Sequence, residues 1–69
     1  MKRTKLYKKA LQISNEYSER VDIAEMCGDE EYRTKALAQW GALNSAFAEL
    51  FDVKITQIIH DAVWLEKEN

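Results

Sequence analysis

Apolar residues recur along the first third of the chain at steps of four or three. They are Leu6, Ala10, Ile13, Tyr17, Val21 and Ala24. Because an α-helix turns once in about 3.6 residues, this spacing forms one apolar stripe and predicts a helix over residues 4–27. Gly28 follows where helices often end in a left-handed residue, and Asp29 is a good N-cap for a second helix.

A second apolar stripe predicts a helix over residues 30–50. Its members are Tyr32, Ala36, Trp40, Leu43, Phe47 and Leu50. Glu30 and Glu31 would lie in its first turn, where they complement the positive end of the helix dipole. The link to the first helix is short, so we expect the two helices to be antiparallel neighbours.

A third helix is predicted over residues 53–66, with Asp52 as its N-cap. Its apolar face consists of Ile55, Ile58, Ile59, Ala62 and Leu65. The whole chain, residues 1–69, is therefore expected to be one all-α domain. Two long antiparallel helices and a shorter third would form it.

The second helix lacks charge over most of its length, although 32% of the chain is charged. No charged residue occurs between Ala36 and Ala48. The stripe opposite its apolar face is charged only at its ends and consists of small residues in the middle, where another helix could approach closely. We therefore expect oligomerisation, near the turn and along this back face. The interface would comprise Val21, Ala24, Tyr32, Ala38, Ala42 and Ser45. The alternative is a self-contained bundle whose alanines face water, which alanine tolerates well in a helix.

The small size of the chain also favours oligomerisation. A domain of this length buries only about 60% of its unfolded surface and usually needs an additional staple. Cys27 is the single cysteine, which excludes an internal disulfide and suits a reducing compartment. No signal-peptide pattern or long apolar run is seen. We expect a cytoplasmic protein that does not enter membranes.

Charge is distributed unevenly along the chain. Half of the ten basic residues fall within the first nine positions, and they are Lys2, Arg3, Lys5, Lys8 and Lys9. The remainder is acidic, which disfavours nucleic acid. The basic start is either solvated or in contact with nucleic acid or an acidic partner. Carboxylates at uniform steps of three, from Glu16 to Glu25, are interpreted as a solvated face. We expect no metal site, cofactor or catalytic residue.

Trp64 is the residue that most resembles a binding anchor. Steps of 100° per residue place it opposite Ile55 and Ile59, on the same side as Gln57 and His60. Exposed tryptophan commonly anchors protein contacts, because burying its ring contributes much of the binding energy. Trp64, His60 and Gln57 are therefore the predicted partner-binding residues. The alternative is that Trp64 folds over the end of the bundle.

The segment "FAELFDVKITQII", residues 47–59, resembles the centre of a helix-turn-helix. Ala48 would lie in the first helix, Phe51 and Val53 beside the turn, and Ile58 in the second helix. The resemblance implies a dimeric DNA-binding regulator, with Lys54, Thr56, Gln57 and His60 facing DNA. The segment departs from the pattern at three positions: Asp52 replaces the turn glycine, Ile55 a polar residue and Asp61 an apolar one.

The function expected from these features is protein binding without catalysis. A small adaptor, inhibitor or regulator would fit, bound to a protein partner and as a homodimer or larger assembly. Such short acidic helical proteins are frequent in phages and mobile elements, by analogy alone. The helix-turn-helix regulator is the alternative. A protein that sequesters a small molecule between subunits is a third class.

Overall fold

The part of the chain that the structure describes folds into three helices. The computed structural model describes the backbone of residues 2–68 and the side chains of residues 5–68. The helices are α1 (Lys2–Cys27), α2 (Glu30–Phe51) and α3 (Ile55–Glu68). The all-α prediction of two long helices and a shorter third is confirmed. The third helix begins at Ile55 rather than at residue 53.

The connection from α1 to α2 is a tight left-handed turn at Gly28. Its φ is 71°, a conformation that glycine adopts without steric cost. Gly28 N donates to Glu25 O over 3.2 Å, and Asp29 N donates to Ala24 O over 3.1 Å. These two bonds form a Schellman motif. Asp29 then caps α2 by accepting from Tyr32 N at 3.0 Å. Both predicted caps are confirmed.

The connection from α2 to α3 repeats this motif with an aspartate in place of glycine. Asp52 has φ 56° and ψ 49°, and Val53 N donates to Ala48 O over 2.9 Å. Asp52 therefore ends α2, and the prediction that it caps α3 is wrong. In the first turn of α3, the amides of Gln57 and Ile58 donate to the carbonyl of Lys54.

The register between α1 and α2 is constant along the hairpin. Three contacts join the two helices at widely spaced levels. They are Tyr7 with Phe51 (ring centroids 5.2 Å apart), Ser14 with Asn44 (2.6 Å) and Glu25 with Arg33 (3.2 Å). In each pair the two residues are the same number of positions from Asp29. The helices are therefore antiparallel and in step from the turn to the open end.

The core of the protein is built largely from small side chains. The buried apolar residues are Ala10, Leu11, Ala24, Ala36, Ala48, Phe51, Ile58 and Ala62. Helix α3 covers the half of the hairpin away from the turn, where Ile58 and Ala62 pack against Leu11 and Ala48. The small core residues allow the helices to approach closely, but they leave many larger apolar side chains at the edges.

The inner stripe of α2 differs from the prediction at its end. Phe51 is 8% exposed, whereas Leu50, predicted to be internal, is 73% exposed. The buried line follows steps of four through Ala36, Asn44 and Ala48. One residue corresponds to about 100° of rotation, so this small shift in phase moves Leu50 from the α1 contact to the flank of the hairpin.

The molecule is flat and more exposed than a globular protein of its mass. Its principal extents are 41 × 25 × 16 Å and its radius of gyration is 12.5 Å, against about 11 Å for a compact chain of this length. Among the described helices, none combines the length and apolar character that a membrane crossing requires.

Candidate functional site

A chain of hydrogen bonds runs along the outer face of α3. Trp64 Nε1 donates to His60 Nε2 over 3.0 Å, and His60 Nδ1 lies 3.3 Å from Asp61 Oδ1. Because the indole N–H can only donate, His60 Nε2 must accept. The neutral imidazole therefore carries its proton on Nδ1, where it can donate to Asp61.

Asp61 joins this chain to α1. Its carboxylate accepts from Gln57 Nε2 at 2.8 Å and from the Tyr7 hydroxyl at 2.5 Å. Partial burial raises the pKa of Asp61, but hydrogen bonds from Gln57, Tyr7 and His60, together with the charge of His60 when protonated, outweigh it and hold the pKa below its ordinary value. Asp61 is thus an ionised acceptor that orients three donors.

The ring of Trp64 is left open to solvent above this network. Trp64 is 55% exposed, and Lys67 Nζ lies 5.7 Å from the centroid of its ring. The only polar atom of the indole is already hydrogen-bonded, so the exposed part of the ring is apolar. The structure therefore brings the predicted residues Trp64, His60 and Gln57 together on one face of α3. Their role in binding a partner stays a prediction.

A second surface lies between α1 and α2, and sequence reasoning missed it. It is an open groove of about 520 Å³, named the hairpin groove below. Its walls are formed mainly by Leu6, Lys9, Ala10 and Ile13 of α1 and by Phe47 and Leu50 of α2. No residue of α3 lines it. A usable signal was present, because Leu6 and Leu50 are both large and lie at the same end of the hairpin.

The position of the groove follows from helix geometry. Tyr7 and Leu11 pack against the cluster that α3 forms with the hairpin. The groove residues Leu6 and Ala10 each precede one of them by one position, which is about 100° around α1. Helix α3 therefore covers one flank of the hairpin, and the groove lies on the other.

The residues of the predicted oligomer interface differ in how exposed they are in the structure. Ala38, Ala42 and Ser45 are exposed on the back of α2, Tyr32 is exposed near the turn, and Val21 is half-buried. Ala24 requires a correction, because its exposed fraction is 0%. The hairpin closes on small residues near the turn, and Ala24 has no surface left for a second molecule. The other assignments stay predictions.

The residues assigned to DNA in the helix-turn-helix interpretation are accessible. Lys54, Thr56, Gln57 and His60 are all exposed. Gln57 and His60 are also tied to Asp61, as described above. Of the basic chain start, Lys5, Lys8 and Lys9 are exposed, while the side chains of Lys2 and Arg3 lie outside the described residues.

Metal-ligating side chains are not clustered in the described part of the chain. No group of three or more His, Cys, Asp or Glu residues there could hold a metal ion. Cys27 is a free, exposed thiol at the end of α1.

Comparison with known proteins adds no relative to this picture. No family model, no curated protein and no solved structure matches the chain.

Proposed function

We propose that this chain is a small protein-binding module that acts without catalysis and engages its partner through Trp64. The observation that carries the proposal is the state of the indole. Trp64 is 55% exposed, yet its indole N–H is already hydrogen-bonded to His60. Covering such a ring removes apolar surface from water without leaving a polar atom unpaired, which is favourable in an interface.

The hydrogen-bond chain also orients the ring before a partner arrives. Trp64 is held by His60, His60 is oriented by Asp61, and Asp61 is bound to Tyr7 of α1. Side chains that are already ordered lose less conformational entropy on binding. Gln57 and Lys67 lie close by as a polar rim, an arrangement that is common around an apolar anchor.

The test compares Trp64→Ala with Val63→Ala, a matched control. Val63 is also exposed and is the preceding residue of α3, but it points about 100° away around the helix. Each form of the protein is immobilised and exposed to a cell extract. Proteins that the wild type and Val63→Ala retain, but Trp64→Ala does not, are purified as candidate partners. Binding of a purified candidate is then measured by calorimetry, with circular dichroism to establish that each variant is folded.

The proposal requires Trp64→Ala to weaken this binding by about tenfold or more, the effect of a typical anchor residue. Val63→Ala should bind like the wild type. His60→Ala should give an intermediate loss, since the ring remains but is no longer held. A purified partner that binds all variants equally would remove Trp64 as the anchor.

A helix-turn-helix regulator is the second candidate. The observation in its favour is the left-handed Asp52, which occupies the position of the turn glycine, with Lys54 and Thr56 exposed beyond it. DNA affinity depends strongly on the neutralisation of phosphates by basic side chains, whereas this chain has a net charge of −2. Mobility-shift titrations with duplex DNA separate the candidates. Steeply salt-dependent binding would favour the regulator, and no binding at low salt would remove it.

A further inference from the structure

We infer that the hairpin groove is the contact surface between two copies of this chain, related by a twofold axis parallel to α1 and α2. The proposal is separate from the Trp64 site, because no α3 residue lines the groove. A dimer formed this way leaves the Trp64 face of each copy free. Failure of one proposal therefore leaves the other standing.

The groove exposes large apolar side chains where the core uses small ones. Leu6 is 62% and Leu50 is 73% exposed, and between them the wall contains Ala10, Ile13 and Phe47. Lys9 is the one charged residue among the lining residues. Apolar surface concentrated in a concave site on one flank is typical of an interface rather than of a solvated helix pair.

The exposed area of the molecule matches what such an interface needs. The chain has 5330 Å² of accessible surface, whereas a globular monomer of its mass exposes about 4,500 Å². The excess of roughly 800 Å² is close to the area that each partner contributes to a stable protein–protein interface. The flat shape of the hairpin allows one continuous face to supply it.

The direction of the proposed axis decides which helices face each other across the groove. Rotation about an axis parallel to the helices places α1 of one copy over α2 of the other. Because α1 and α2 are antiparallel, every pair of adjacent helices is then antiparallel, as in a four-helix bundle. Leu6 of each copy comes to lie near Leu50 of the other, and the two turns lie at the same end.

Charges on the rims favour a second copy as the occupant. Lys9 lines the groove on the α1 side, and Glu49, which is exposed beside the groove and not part of its lining, precedes Leu50 by one position on α2. Both are the same number of residues from Asp29, so they are level with each other in the constant register of the hairpin. The proposed rotation brings Lys9 of each copy beside Glu49 of the other. An axis perpendicular to the helices would instead place α1 over α1 and separate these charges.

The first test is the mass in solution, measured by multi-angle light scattering. The wild type should be a dimer and Leu50→Glu a folded monomer, because a charge would be buried in the contact. Ala42→Glu is the matched control, an equally drastic change on the exposed back of α2, and should stay a dimer. A monomeric wild type, or a dimer lost in Ala42→Glu and kept in Leu50→Glu, would overturn the proposal.

The second test addresses the axis and uses only surface charges, so folding is preserved. Lys9→Glu and Glu49→Lys should each weaken self-association by about three- to tenfold, since each places like charges together twice. An equimolar mixture of the two variants should recover wild-type affinity through a heterodimer, in which both pairs are again opposite in charge. A mixture that associates no better than its components would overturn the parallel axis.

Discussion

The hydroxyl of Ser14 donates a 2.6 Å hydrogen bond to the side-chain carbonyl of Asn44 inside the α1–α2 interface. Both residues are 1% exposed. Asn44 Nδ2 is also buried, without a hydrogen-bond partner among the described residues. Sliding one helix past the other would separate the bonded atoms and bury them unpaired. The pair therefore favours the observed register of the hairpin.

We expect Ser14→Ala to lower the free energy of unfolding by about 1–3 kcal/mol, because it leaves the buried Asn44 amide without its partner. The double variant Ser14→Ala with Asn44→Leu removes both polar groups and should recover most of the loss. Urea denaturation followed by circular dichroism, at one fixed protein concentration, measures both. A double variant less stable than Ser14→Ala would contradict this explanation.

Asp52→Gly should stabilise the protein by up to about 1 kcal/mol, because a left-handed residue other than glycine is strained. Gly28→Ala is the opposite change in the other turn and should destabilise by about 1 kcal/mol through backbone strain. An added Cβ at Gly28 would meet no atom within 4 Å, so no clash complicates the comparison. Thermal unfolding measures both changes in stability. If both substitutions stabilise the protein, or both destabilise it, the explanation by backbone strain is contradicted.

The terminal turns illustrate what the sequence made predictable. Gly28 and Asp29 were assigned correctly because caps depend on the local backbone. Asp52 was misassigned, since an aspartate is a common N-cap but only rarely takes the left-handed position that ends a helix. The identity of the residue did not reveal which of the two helices it would serve.

Asp61→Asn should make stability less dependent on pH in the acid range. The pKa of Asp61 in the folded protein lies below its ordinary value of 3.8, because hydrogen bonds from Gln57, Tyr7 and His60 outweigh the effect of burial. The ionised group therefore stabilises the fold above that pH, and the contribution disappears as the pH falls through the lowered pKa. Urea midpoints at neutral and acid pH should converge in the variant. A variant that loses as much stability in acid as the wild type would contradict this role of Asp61.

The bond between His60 and Trp64 should break when the imidazole is protonated, because Nε2 then carries a proton and cannot accept. The indole N–H signal of Trp64 in a ¹H–¹⁵N spectrum should shift once acid has protonated that nitrogen, while that of Trp40 stays in place. His60→Gln should abolish the shift. A Trp64 signal that is the same at neutral and acid pH would show that this hydrogen bond does not form in solution.

The two candidate surfaces differ in how far they could be predicted. Steps of 100° placed Trp64, Gln57 and His60 on one face, because residues of one helix have a fixed angular relation. The hairpin groove depends on which flank α3 covers. That choice separates Leu6 from Tyr7, which are neighbours in the chain, and it is made by tertiary packing around Ile58 and Ala62. Helical periodicity alone carries no information about it.

The central claim is a dimer that forms through the hairpin groove, about a twofold axis parallel to α1 and α2. A distance between the two copies tests it most directly. Cys27 is exposed and is the single cysteine, so one spin label attaches to each chain. With the proposed axis both turns lie at the same end, and the labels should be about 20 Å apart, given helix spacings of roughly 10 Å. An axis perpendicular to the helices would place them about 50 Å apart, from the 1.5 Å rise per residue between Ala10 and Cys27. That longer distance, or no dipolar coupling at all, would contradict the account.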